Sequence, residues 1–137
     1  MHVRLRTVLL TLPLLAMAAC DNGLTTTSTP TSTTTTTETF TGTLTKNSGV
    51  THQFAATSRG VVTATLTKID PDSAQTIGVS LGTWNGTSCQ VIIANDSATV
   101  GAQLVGQVSG VGNLCLRVYD VGKLTTSEDY SVDVAHP

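Results

Sequence analysis

From about residue 39 onward, apolar and polar residues alternate with a period of two, and clusters of turn-forming residues interrupt the alternation. This pattern predicts β-strands that each bury one face. The eight predicted strands cover residues 39–46, 50–57, 61–69, 76–84, 89–95, 99–108, 113–121 and 129–135. The predicted turns include Asn47-Ser48-Gly49, Ser58-Arg59-Gly60, Asp70-Pro71-Asp72, Asn85-Gly86 and Asn95-Asp96. No segment shows a convincing helical period.

The alternation also predicts which side chains point inward. In the third strand these are Val62, Ala64 and Leu66, with threonines between them. The later strands add Leu114, Leu116, Val118, Tyr130, Val132 and Val134. Short strands with one apolar face bury that face against a second sheet. We therefore predict an all-β, two-sheet antiparallel sandwich, jelly-roll-like by its number of strands. The abundance of threonine and valine suits a pleated surface.

The start of the chain has a different pattern. Arg4 and Arg6 precede an apolar run over residues 8–19 that ends in small residues and Cys20. Spanning a bilayer takes about 20 apolar residues, so the run is too short for a membrane helix. A basic start, a short apolar run and small residues at its end are typical of a secretory signal. Residues 1–19 are therefore predicted to be a removable signal peptide.

Residues 15–20, with the sequence LAMAAC, resemble the lipobox of bacterial lipoproteins. The resemblance implies that Cys20 carries a diacylglycerol and becomes the first residue of the mature protein. Two or three acyl chains hold a protein firmly on a membrane. The chain is thus expected to be exported and lipid-anchored, with inner and outer membrane both open. The alternative is an ordinary signal with a chance cysteine at its end.

Residues 20–38 are predicted to be the lipidated cysteine and a threonine-rich tether. Between residues 25 and 45, 14 of 21 residues are threonine. The first part has almost no apolar side chain, so folding could not offset its backbone entropy. It is predicted to be a spacer, either unmodified or O-glycosylated, with strand formation as a further alternative. The remaining residues, 39–137, are enough for one domain with one core.

Charge excludes one class of partner. Loss of Arg4 and Arg6 with the signal leaves five basic against nine acidic residues, a net charge of about −4. The remaining basic residues are scattered singly, whereas nucleic-acid binding needs clustered cations. No nucleic-acid partner is expected.

Three cysteines occur, and Cys20 is assigned to the lipid. Cys89 and Cys115 are then the only pair, in a compartment where disulfides persist. A disulfide between them is predicted, with two free thiols or a nucleophile as the alternative. Zinc is not expected from two cysteines alone, because it takes four ligands.

Few residues suggest chemistry. His52 lies in a predicted strand, and His136 stands next to the last residue, where chains usually fray. No catalytic or nucleotide-binding motif occurs, so neither an enzyme nor a cofactor is predicted. Calcium binding at the acidic strand ends is an alternative to turn formation. Sugar binding by Trp84 is an alternative to packing in the core or against the disulfide. The acidic residues concerned are Asp70, Asp72, Asp96, Asp120, Glu128 and Asp129.

Residues 39–137 resemble the bacterial pre-peptidase C-terminal (PPC) domain family. The resemblance rests on FTGTL at 40–44, HQF at 52–54, GVVTATL at 60–66, LRVYD at 116–120 and YSVDV at 130–134. It implies a β-sandwich that is a non-catalytic appendage, often linked to substrate or surface binding. We expect an envelope lipoprotein whose sandwich binds an envelope protein or polysaccharide, or covers a surface. The alternatives are an accessory subunit that adheres through an exposed sheet edge, and a small hydrolase with an unrecognised site.

Overall fold

The computed structural model describes residues 34–137, which form eight β-strands. The strands are β1 (Thr36–Leu44), β2 (Gly49–Ala56), β3 (Gly60–Asp70), β4 (Ile77–Trp84), β5 (Cys89–Ala98), β6 (Gln103–Val108), β7 (Gly112–Tyr119) and β8 (Glu128–His136). In this part of the chain, no helix is long and apolar enough to cross a membrane. The predicted signal peptide, Cys20 and the tether up to residue 33 lie outside the described residues.

The strands form two four-stranded sheets that pack face to face. The first sheet has the order β1-β8-β3-β6, and the second has the order β2-β7-β4-β5. Every pair of neighbouring strands is antiparallel. The predicted jelly-roll-like sandwich is confirmed. Its open edges are β1 and β6 in the first sheet and β2 and β5 in the second.

The core lies between the two sheets, as the alternation predicted. All the side chains predicted to point inward are buried, and they belong to one continuous apolar cluster. β3 supplies Val62, Ala64 and Leu66, and the facing β7 supplies Leu116 and Val118. The threonines between the β3 core residues point outward. The alternation therefore predicts both the buried and the outward face of this strand.

The predicted disulfide is confirmed: Cys89 is bonded to Cys115, with 5.8 Å between their Cα atoms. It connects the start of β5 to the middle of β7, and Cys115 is fully buried. Half-buried Trp84 lies directly opposite Cys89 in the β4–β5 ladder. Among the described residues, Trp84 does not belong to the buried core cluster.

Two strand boundaries correct the sequence prediction. Asn95-Asp96 is not a turn, because β5 continues through it to Ala98. A register shift absorbs the extra residue there, and the Asn95 side chain accepts a hydrogen bond from the Ser97 N–H at 2.9 Å. The turn comes later, at residues 99–102, where Gly101 adopts a positive φ of 91°. The predicted strand over 99–108 therefore begins only at Gln103.

The boundary of the predicted tether also moves. β1 begins at Thr36, inside the segment assigned to the tether, and Thr36 pairs with His136 of β8. Backbone pairing with an ordered neighbouring strand offsets the entropy that these residues could not offset alone. The last residues of the threonine tract are thus part of the first sheet.

Candidate binding surface

His52 is hydrogen-bonded to a tyrosine. His52 on β2 and Tyr130 on β8 are joined by a hydrogen bond of 2.7 Å between Nε2 and the phenol oxygen. Burial lowers the pKa of the His52 imidazole, and burial raises the pKa of the Tyr130 phenol to about 12. The ring of Phe40 stacks on His52 with 5.0 Å between centroids. These contacts tie β1, β2 and β8 together, which matches the prediction that His52 is a sheet residue.

The prediction that His136 frays is wrong. His136 is only 4% exposed, and its Nε2 lies 2.8 Å from Oε1 of Glu38. Its ring also packs against Phe54. The early start of β1 is the physical reason, because residues 36–38 form the neighbouring strand that holds the end of β8.

Asp120 organises a turn. Its Oδ1 accepts hydrogen bonds from the backbone N–H groups of Gly122, Lys123 and Leu124, and its Oδ2 accepts one from Asn47. Burial alone would raise the pKa of the carboxyl, but the four hydrogen bonds outweigh it and lower the pKa. The carboxylate therefore replaces backbone partners in a turn, as side chains of aspartate commonly do.

A second acidic residue, Glu128, is only 2% exposed. Its carboxylate accepts hydrogen bonds from the Asp72 backbone N–H at 3.0 Å and the Thr126 hydroxyl at 3.3 Å. It thereby fastens the loop after β3 to the start of β8. Within residues 34–137, no three His, Cys, Asp or Glu side chains come close enough to share a metal ion.

Along β1 and β8, two threonine–aspartate pairs lie on the outer face of the first sheet, whereas β3 and β6 expose Val61 and Val105. The Thr39 hydroxyl donates to Asp133 at 2.7 Å, and the Thr43 hydroxyl donates to Asp129 at 2.6 Å. Both pairs lie directly opposite each other across the β1–β8 ladder. Such cross-strand pairs stabilise a sheet and leave fewer polar atoms free for a ligand.

The most distinctive surface lies where the β5 and β6 edges meet. A cavity of about 110 Å³ opens there between the two sheets, and we call it the β5–β6 groove. Its lining is Phe54, Val62, Leu81, Gly82, Ile92, Ile93, Gly106, Gln107, Val108 and Leu114. None of these side chains is ionisable, and only Gln107 is polar.

Ile92 gives the groove an apolar rim, because 69% of this residue is exposed to solvent. The β4–β5 register shifts between Leu81 and Gly82, so β5 contains a bulge at this point. A bulge changes the alternation of side chains, and Ile92 and Ile93 both line the groove although they are consecutive. A Cβ added at Gly106 would lie 3.3 Å from Cδ1 of Ile93, so this glycine keeps the groove open.

The groove was not predicted from the sequence. Its only signal was the Ile92-Ile93 doublet, which breaks the period of two inside a predicted strand. A bulge can produce such a break, but the Val61-Val62 pair in β3 breaks the alternation in the same way without a register shift.

A scan of the chain against protein-family models and a search of curated proteins both found no match. The likeness to PPC domains therefore rests on the motifs quoted above.

Proposed function

We propose that the chain is an envelope lipoprotein, anchored to a bacterial membrane through Cys20, whose β-sandwich is a non-catalytic binding module. The observation that carries the binding role is the β5–β6 groove. Exposed apolar surface around a cavity is unfavourable in water and commonly marks an interaction site. The resemblance to PPC domains, which are linked to substrate or surface binding, supports the same role.

The anchor is tested on the N-terminus of the mature protein. Mass spectrometry of the native protein should find Cys20 as its first residue, with acyl chains attached. A Cys20→Ser variant should lose the modification and partition into the aqueous phase of a detergent extract. An unmodified Cys20, or cleavage elsewhere, would contradict the anchor.

The binding role is tested by crosslinking in the native membrane. A photoreactive amino acid at Ile92, on the groove rim, should give a discrete adduct with another envelope component. The same group at Lys46, an exposed position in the turn between β1 and β2, is the control. The proposal fails if neither position, or both positions equally, give adducts.

One alternative has an observation in its favour. β6 is an open edge without charge or proline, which suits an accessory subunit that joins a larger envelope complex by strand addition. The hydrolase alternative gains no support from the groove, because no titratable side chain lines it.

A further inference from the structure

The two edge strands beside the groove differ in their ability to accept another strand. The β4–β5 register shifts twice, between Ile77 and Val79 and between Leu81 and Gly82. Bulges disturb the ladder and discourage edge pairing on β5. The β3–β6 register has no shift from Gly60↔Val108 to Thr65↔Gln103. β6 therefore presents six regular residues at the open edge of the first sheet, ready for an extended partner.

The size of the groove limits what can enter it. At about 110 Å³, it is smaller than the ~150 Å³ apolar cavity that accommodates a benzene molecule in another protein. Pockets for drug-sized ligands are several times larger, at about 300–1,000 Å³. The groove has room for one apolar side chain, and a long acyl chain exceeds it.

A second depression adjoins the groove and adds a charge. Its lining is Arg59, Gly60, Val61, Gln107, Val108 and Ser109, and it shares Gln107 and Val108 with the groove. Arg59 is exposed, and within residues 34–137 no carboxylate lies within ion-pair distance of it. An occupant that crosses from the groove into this depression is favoured if it brings a negative charge.

We propose that β6 accepts an extended peptide segment of a partner protein, with one apolar side chain about the size of leucine in the β5–β6 groove and a carboxylate beside Arg59. The segment pairs with the open edge of β6 through its backbone, while the groove and the arginine select its side chains. This inference rests on the proposed binding function and specifies the chemistry of the partner.

Titration with synthetic peptides tests the inference. The probe is a blocked nine-residue peptide of threonine and valine, with a central leucine followed by aspartate. Binding to the intact protein is measured by calorimetry. Replacing leucine by serine should weaken binding at least about tenfold, because the apolar contact is lost. Methylating the backbone nitrogens that face β6 should abolish binding, since it removes the hydrogen-bond donors.

Protein variants test each half of the site separately. In Gly106→Ala, the added Cβ narrows the groove, and its only close contact is the end of the Ile93 side chain. This variant should weaken binding at least about tenfold. Gly112→Ala is the matched control, because a Cβ there has nothing within 4 Å and should change nothing. Arg59→Gln should weaken the aspartate peptide by about two- to fivefold and leave its asparagine analogue unchanged.

Other outcomes overturn the inference. If the leucine and serine peptides bind equally, the role of the groove is contradicted. If the methylated peptide binds as tightly as the unmethylated one, the strand pairing is contradicted. The methylated peptide uses the unaltered protein, so this result does not depend on the folding of a variant. A dimer in sedimentation that Gly106→Ala abolishes would assign the groove to a second copy. Binding to phosphatidylglycerol vesicles through Ile92 would assign it to lipid.

The failure of this inference differs from failure of the proposed function. If the Ile92 crosslinker captures an envelope component while no peptide of the series binds, the binding module stands and its partner is not an extended strand. If the crosslinker captures nothing specific, the binding function itself fails.

Discussion

Breaking the Cys89–Cys115 bond should remove a large part of the stability of the domain. The bond joins residues 26 apart in sequence, so it closes a loop of 27 residues. In the chain-entropy model, such a loop contributes about 3.5 kcal/mol by restricting the unfolded chain. Domains of this size are stable by about 5–15 kcal/mol in total. Because 1 kcal/mol shifts Tm by about 4–8 °C at this length, reduction should lower Tm by about 14–28 °C.

The measurement compares oxidised and reduced protein in urea, with Cys20→Ser in both samples so that no third thiol can exchange. Trp84 is the only tryptophan of the chain and lies opposite Cys89, so its fluorescence reports the transition locally. Circular dichroism of the strands gives a second, global probe. The denaturant slope should rise on reduction, because the unbridged unfolded chain exposes more surface.

A loss of stability below about 1 kcal/mol on reduction, with an unchanged denaturant slope, would contradict this expectation. It would mean that the unfolded chain is already restricted in this region without the bond. A Cys89→Ala, Cys115→Ala double variant should lose at least as much as the reduced protein, because it also leaves space around a fully buried position.

Four further predictions concern single positions. Gly82→Ala should cost at least about 2 kcal/mol in urea unfolding, because its Cβ would overlap the backbone of the next strand, whereas Gly112→Ala should stay within about 0.5 kcal/mol. Asp120→Ala should cost about 1–3 kcal/mol, because it leaves four backbone N–H groups without their acceptor, and Asp120→Asn should recover part of the loss. Acidification should weaken the fold as pH falls below 6.5, since the unfolded chain protonates His52 before the folded chain does. His52→Gln should flatten this pH dependence of Tm. Alkaline pH should weaken the fold between about 10 and 12, because the folded state holds Tyr130 neutral, and Tyr130→Phe should remove its share of that loss.

The sequence was sufficient to predict the sandwich because most strands bury one face and expose the other to solvent. In β3, the alternation of Val62, Ala64 and Leu66 with threonines follows from this arrangement. The disulfide was also predictable, because two cysteines remained for one bond. Asn95-Asp96 was misinterpreted because the same side-chain hydrogen bond that stabilises turns also stabilises a bulge inside a strand. Local sequence does not distinguish the two.

The environment of His136 and the β5–β6 groove could not be predicted for a different reason. Each depends on segments that are remote in sequence and adjacent in space. Glu38 and His136 are 98 residues apart. The groove combines β2, β3, β4, β5, β6 and β7, and no local pattern specifies how closely β5 approaches β6. The Ile92-Ile93 doublet specified neither the bulge nor the cavity, since the Val61-Val62 doublet of β3 has no bulge.

The space between the sheets has two ends, one where the edge strands β1 and β2 meet and one where β5 and β6 meet. These ends are closed to different degrees, and the difference favours the groove as the binding site. At the β1–β2 end, the ring of Phe40 stacks on His52, and these two aromatic side chains occupy the space between the edges. At the β5–β6 end, Gly106 stands where a side chain could have closed the gap. The described chain enters the sandwich at β1, and β6 lies at the opposite edge of the same sheet, about 14 Å away at the usual strand spacing. A partner strand at β6 would therefore not compete with the strand by which the chain enters the domain.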